Sequence, residues 1–281
     1  SIVIVISHRN FIRQFALDRA TSQESVAFAQ SLIRTPSLST QEGALAQVIS
    51  EHLEILGFPN VRVDAMGNVI ATLGNGNGPT VLYSGHMDTV AAHTPDQWLY
   101  PPHDAVIADG MLYGLGAVDM KGALASMIYG ARQLLPYSDQ LDGTLVLTFV
   151  TQEEPCEGLA MRHLIEVEGI KPDMVLLGNP TNMQISRGHR GRVMFRVLVE
   201  GSSSHGSLPQ QGTNAIYAAA RLIFAIQMLD LPNDPFLGPG TIAVTGIESR
   251  GASLNAIPDM CRIYVDRRLT LGETVMAAQA Q

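Results

Sequence analysis

The stretch TLVLTFV at residues 144–150, followed directly by Thr151-Gln152-Glu153-Glu154, decides the architecture. Seven apolar or β-branched residues without alternation read as a strand buried on both faces, as in a parallel sheet covered by helices. Two adjacent carboxylates stand at its end. Neighbouring side chains on an extended chain point opposite ways, so one carboxylate can hold a cation while the other faces a water. Glu-Glu taken alone also fits a solvated acidic turn.

Upstream, residues 80–83 form a short strand that delivers Gly85-His86-Met87-Asp88. Imidazole is the commonest metal ligand, and a His-x-Asp spacing lets the carboxylate sit behind the ring and orient it. Alone, that pair fits a surface histidine equally well. Between the two strands lies Gly114-Leu115-Gly116-Ala117-Val118-Asp119-Met120-Lys121-Gly122, a glycine-rich loop opening a helix. A phosphate cradle is the alternative, since helix N-termini bind anions. It fails because the spacing is not that of a phosphate loop and the glycines do not lead straight from strand to helix. Asp119 at a helix start also suits a plain N-cap. Downstream, residues 174–177 read as another buried strand, leading into Gly178-Asn179-Pro180-Thr181. Each candidate therefore follows a strand, on the crevice side where ligands bind in open α/β sheets.

The rest of the first half alternates in the same way. Helices are expected at 23–34 and 41–56, the second closed by Gly57, with strands at 61–63 and 69–73. A glycine-rich turn at 74–78 precedes the strand at 80–83, and further helices are expected at 121–135 and 158–168. The expectation for residues 1–184 is an α/β domain with a mostly parallel sheet and helices on both faces. From 185 the order becomes strand 192–200, helix 214–229, strands 241–246 and 259–269, and a helix from 273 to 281. That β-α-β-β-α order is a ferredoxin-like α+β unit lacking its last strand, with a boundary near Ile185.

Composition narrows the function classes. A chain of 281 residues with 46% hydrophobic content can build two cores. A formal net charge of −8 argues against nucleic acid, whose phosphates need clustered Lys and Arg. The apolar run Ile2 to Ile6 is far shorter than the ~20 residues that span a bilayer, and it lacks the flanks of a signal peptide. Cys156 and Cys261 are far apart and without Cys-x-x-Cys spacing, so free thiols in a reducing cytoplasm are expected.

Taken together, the five segments Gly85-His86-Met87-Asp88, Asp119 to Gly122, Glu153-Glu154, Gly178-Asn179-Pro180 and Ser204-His205-Gly206 resemble the zinc-dependent exopeptidase and deacylase family. That family includes acetylornithine deacetylase, succinyl-diaminopimelate desuccinylase, aminoacylase and glutamate carboxypeptidase. The resemblance covers residues 23–273 and implies hydrolysis of an amide bond in an N-acyl amino acid or small peptide. It implies two divalent ions, zinc first and cobalt or manganese as alternatives, that activate a water for Glu153 to deprotonate. By resemblance His86 binds the first metal, Asp88 orients it, Asp119 bridges both metals and Glu154 binds the second. Asn179 occupies a position where the family places an acidic ligand, and a neutral amide oxygen is a poorer zinc ligand than a carboxylate. His205 resembles the histidine that in dimeric relatives reaches into the partner's site, so a homodimer through the second, lid-like domain is implied. Asn255, Arg267 and Arg268 resemble substrate-contacting positions, with Arg suited to a carboxylate.

The chain departs from the pattern in a second way. All eight histidines lie at or before His205, and the chain ends within a helical stretch. Both domains are thus expected to be incomplete at the C-terminal end, and the last histidine ligand has no candidate. A catalytically impaired relative that keeps the fold and the dimer is the alternative reading, motivated by Asn179.

Overall fold

The computed structural model describes residues 18–156, 158–186 and 188–281, so the apolar run at residues 2–6 lies outside the described residues. The chain divides into two compact units, one ending at Met183 and the other running from Gln184 to Gln281.

The first unit contains α1 (Arg19–Arg34), α2 (Gly43–Ile55), β1 (Arg62–Val63), β2 (Val69–Leu73), β3 (Thr80–His86) and a hairpin of β4 (Val106–Ala108) and β5 (Met111–Tyr113). It continues with α3 (Gly122–Arg132), β6 (Thr144–Val150), α4 (Leu159–Glu166) and β7 (Met174–Leu177). The sheet order is β1-β2-β6-β3-β7. It is a mixed sheet rather than a mostly parallel one: β1–β2 and β2–β6 pair antiparallel, while β6–β3 and β3–β7 pair parallel. The glycine-rich turn after β2 reverses the chain, so β3 runs against β2. The crossover through α3 then returns β6 parallel to β3, and β6 inserts between the two.

Helices cover both sheet faces. On one, Leu32 of α1, Leu45, Ile49 and Leu53 of α2, and Leu124 and Ile128 of α3 pack on Val69, Ala71, Leu147 and Phe149. On the other, Ala160 and Leu164 of α4 cover Ile70, Leu82, Val146 and Val150. Burying each such Leu or Ile contributes about 1.5–3 kcal/mol, which is why β6 can be apolar on both sides. Gly85 lets α3 approach β3 closely: a Cβ there would lie 2.6 Å from both Leu124 Cδ2 and Met120 Cε.

The structure departs from the sequence reading at one strand and adds a hairpin. β7 is a strand, but it lies at the sheet edge with its four residues exposed, not buried. Its exposure reflects pairing on β3 alone among the described strands. The β4–β5 hairpin was not anticipated. Its turn, Asp109-Gly110, has φ of 50° and 75°, the left-handed pair that a two-residue hairpin turn requires.

The second unit contains β8 (Gly191–Glu200), α5 (Ala215–Gln227), the short pair β9 (Asn233–Asp234) and β10 (Gly238–Pro239), β11 (Thr241–Arg250), β12 (Met260–Leu269) and α6 (Val275–Gln279). Its main sheet has the order β11-β12-β8, antiparallel throughout. Asn214 caps α5, its Oδ1 accepting from Ile216 N and Tyr217 N. The helix lays Ala215 and Ala219 on Cys261, Ile263 and Val265, forming a one-sided core. β11 runs four residues beyond the expected end at Gly246, because a register shift between Val244 and Gly246 is absorbed as a bulge.

Gly85→Ala is expected to destabilise the first unit by about 1–3 kcal/mol, since α3 must retreat from β3 or the side chains must leave their rotamers. A fall in the urea midpoint reads this out. An unchanged midpoint would mean that α3 is free to shift.

Candidate metal centre

β3 and β6 run parallel with His86 opposite Val150, so their ends deliver His86-Met87-Asp88 and Thr151 to Glu154 to one edge of the sheet. The loop before α3 brings Asp119 to the same place. His86 Nε2 lies 3.0 Å from Asp119 Oδ1, and His86, Asp119 and Glu154 offer ligand atoms that all lie within 4.8 Å of one another. Glu153 is not in that group, as expected for adjacent carboxylates that diverge. Asp119 is not a helix cap. Lys121 holds the N-cap position of α3, while Asp119 is extended at φ −122° and ψ 93°.

Both nitrogens of the His86 ring face oxygen acceptors. Nδ1 donates to the Asp88 carbonyl oxygen at 2.9 Å, with Asp88 Oδ1 at 3.6 Å, and Nε2 faces Asp119. Burial of the ring works against its charge. Hydrogen bonds to Asp119 and Asp88 and the field of Glu153 outweigh it, raising the imidazole from 6.5 to about 10. The ring orientation thus comes from the Asp88 backbone more than from its carboxylate.

The Asp88 carboxylate has other partners. Oδ1 accepts from Glu153 N at 3.0 Å, and Oδ2 accepts from Glu154 N at 3.1 Å and from Ser39 Oγ at 2.7 Å. Burial alone would raise this carboxyl, but His86, Ser39 and the two backbone N–H groups hold it below the ordinary carboxylate value. Asn68 Oδ1 accepts from Thr151 N at 3.0 Å, and Asp64 in turn holds Asn68 through its backbone N and its Nδ2.

Asp64, His163 and Glu168 form a second group of close ligand atoms. Its charge is taken up internally: Arg62 lies 2.5 Å from Glu168, and Asp64 is engaged with Asn68 and Met66. Beside the first group lies a cleft of ≈ 290 Å³ whose lining includes Thr89, Trp98, Gly116, Val118, Asp119 and Glu154. Trp98 was not singled out from the sequence. It is the single tryptophan, and its placement between the His86 and Asp119 motifs was the available signal.

Gly178 N donates to Ser84 O one residue past the last β3–β7 pair, Ser84 with Leu177, and Asn179 follows directly. Asn179 is exposed. In the second unit, the loops of His205 and Asn255 meet: His205 pairs with Ala256, and Gly206 N donates to Asn255 O at 2.6 Å. His205 is exposed, with its Nδ1 2.8 Å from Ser207 Oγ. The two arginines separate. Arg267 is fully buried, ion-paired with Glu273 and donating to the Arg268 carbonyl, which leaves it no surface to offer a substrate. Arg268 lies on the opposite face of β12, its Nε donating to Asp266 Oδ1 at 2.7 Å.

An imidazole and two carboxylates converge at the carboxyl ends of parallel strands with a further glutamate nearby, the donor set and base that a metal-dependent hydrolase needs. The chain belongs to peptidase family M20/M25/M40, whose pattern it matches over residues 82–259, and its class of reaction is metal-dependent amide hydrolysis. It is 35% identical over 270 residues to the uncharacterized protein YgeY of Escherichia coli K12, covering 95% of this chain and 67% of that protein. It is 30% identical over 256 residues to the succinyl-diaminopimelate desuccinylase of Marinobacter nauticus, covering 87% of this chain and 67% of that enzyme. The chain thus spans about two thirds of the length of both relatives. Among solved structures, an M20 family metallo-carboxypeptidase from Sulfolobus solfataricus shares the fold with a TM-score of 0.72 at 18% identity, over 94% of this chain and 74% of that one.

The residues fit a cation. A 3.0 Å separation of Nε2 and Oδ1 is near the edge of a tetrahedron about an ion roughly 2.0 Å from each ligand. The same field that holds a second proton on His86 favours a metal in its place. Without metal, the His86 contribution to stability is complete below about 6.5 and is lost as pH rises toward about 10. A metal must displace the Nε2 proton, so zinc affinity is expected to rise with pH through this window, about tenfold per unit for one proton. Calorimetry at pH 8 in two buffers of different ionisation enthalpy checks this. Zinc binding without proton release would remove His86 Nε2 from the ligand set.

Proposed function

We propose that the chain hydrolyses the amide bond of an N-acyl amino acid or small peptide, with Glu153 as general base beside two divalent cations, zinc first and cobalt or manganese as alternatives. The observation that carries this reading is the division at the end of β6. Glu154 joins His86 and Asp119, while Glu153, on the same fixed turn, stays outside that group. His86, Asp119 and Glu154 would hold the metals, and Asn179 would contribute an amide oxygen. Such ions, when bound, lower the pKa of a water and polarise the scissile carbonyl. Glu153 accepts the water proton and returns it to the departing amine.

His205 would stabilise the oxyanion in the site of a second copy, and Asn255 and Arg268 would contact substrate. A dimer through the second unit is supported by α5, which exposes Tyr217, Phe224 and, at its C-cap, Met228. Two free thiols, with Cys156 exposed, suit a cytoplasmic setting. Among the described residues no helix is long and apolar enough to cross a membrane.

Asn179 favours a second reading, a relative that keeps fold and dimer but turns over poorly. Release of amino acid from N-acyl amino acids or dipeptides separates the two. Glu153→Gln is expected to lower kcat by about 10²- to 10⁴-fold while metal content, read by equilibrium dialysis, stays constant. Loss of metal with loss of rate would instead make Glu153 a ligand. Asn179→Asp is expected to tighten zinc binding in the same dialysis, because a carboxylate replaces an amide. An unchanged affinity would place residue 179 away from the metal.

A further inference from the structure

Four consecutive backbone N–H groups at the end of β6 are accepted by side-chain oxygens from three separate segments. Asn68 takes Thr151 N and Asp88 takes Glu153 N and Glu154 N. The remaining one, Gln152 N, donates to Oε1 of Glu42 at 2.9 Å. Glu42 belongs to none of the five motifs and lies 110 residues away in sequence, yet its residue is only 4% exposed. A carboxylate buried to that degree needs donors to offset its lost hydration. The same Oε1 also accepts from Thr40 N at 3.0 Å.

Both residues held by that oxygen are left-handed: Gln152 has φ of 56° and Thr40 of 73°. Neither is glycine, and a β-branched residue in this region persists only where surrounding structure over-determines it. The segment 37–42 is itself tied to the His86 strand end. Thr89 N donates to Ser37 O at 2.8 Å, Ser37 Oγ to Met87 O at 2.8 Å and Ser39 Oγ to Asp88. Gln152 precedes Glu153 directly, so the torsion at Gln152 sets where the Glu153 Cα–Cβ bond points.

We propose that Glu42 is a positioning residue for Glu153: its carboxylate locks the left-handed conformation of Gln152 and so fixes the aim of the base. This rests on the reading of Glu153 as the base. Glu42 touches neither substrate nor metal in this scheme. Misplacing a reacting group by about 1 Å can cost on the order of 10²-fold in rate.

The test compares Glu42→Ala, Glu42→Gln and Glu153→Gln in the full chain. Glu42→Ala is expected to lower kcat by about 10- to 100-fold with KM and zinc stoichiometry unchanged. Glu42→Gln keeps an oxygen at the same place and is expected to restore most of the rate. In a Gln152→Gly background, where positive φ carries no steric penalty, removing Glu42 is expected to cost less than in the parent. Amide exchange by NMR needs no turnover: Glu42→Ala is expected to speed exchange at Gln152 while Thr151 stays protected. Unchanged exchange at Gln152 overturns the proposal, as does a full kcat in Glu42→Ala when Glu153→Gln is inactive. A rate loss that appears only with loss of zinc or of folded protein also overturns it. If Glu153→Gln itself keeps full turnover, the assignment of the base has failed, and the exchange result alone then decides whether Glu42 fixes the turn.

Discussion

The buried carboxylate of Asp88 is the point on which the site depends. It links the end of β3 to the end of β6, because its two oxygens take the N–H groups of Glu153 and Glu154 while its own backbone carbonyl takes the Nδ1 proton of His86. Strand pairing alone brings His86 opposite Val150. Beyond that register the chains leave the sheet, and hydrogen bonds from side chains decide where each ligand points. A charged acceptor in a low-dielectric setting gives those bonds more than the usual strength.

Much of this was legible in the sequence, for definable reasons. The limits of β2, β6 and β7 and the closure of α2 by Gly57 follow from β-branched runs and glycine signals that tertiary structure does not override. The assembly of His86, Asp119 and Glu154 follows from each motif trailing a strand or opening a helix on one edge of one sheet. Strand direction was less legible, because burial makes a central strand apolar whether its neighbours run with it or against it. β7 shows the same limit from the other side. Its four apolar residues suggested burial, but composition does not reveal whether a strand has one neighbour or two.

Arg267 and Arg268 illustrate a signal that was present and went unused. Cys261, Ile263, Val265 and Leu269 alternate along β12 and are all buried, and Arg267 shares their parity. Period two therefore places Arg267 under the sheet and Arg268 on the open face with Asp266. Glu42 and Asn68 had no comparable signature. Their role comes from contacts across more than 80 residues of sequence, which neither periodicity nor local spacing encodes. The Asp109-Gly110 turn, in contrast, carries one of the strongest short-range hairpin signals a sequence can offer.

The cradle at the end of β6 separates stiffness from aim. The sheet ladder up to Val150 is written in backbone atoms and is indifferent to which side chains the strand carries. The four N–H groups beyond it are held by the tips of Asn68, Glu42 and Asp88. A homologous chain could therefore retune the direction of its base by single substitutions at three distant positions, leaving the strand order and the core untouched. The scaffold and the catalytic geometry can drift at different rates in evolution because they are encoded in different parts of the polypeptide.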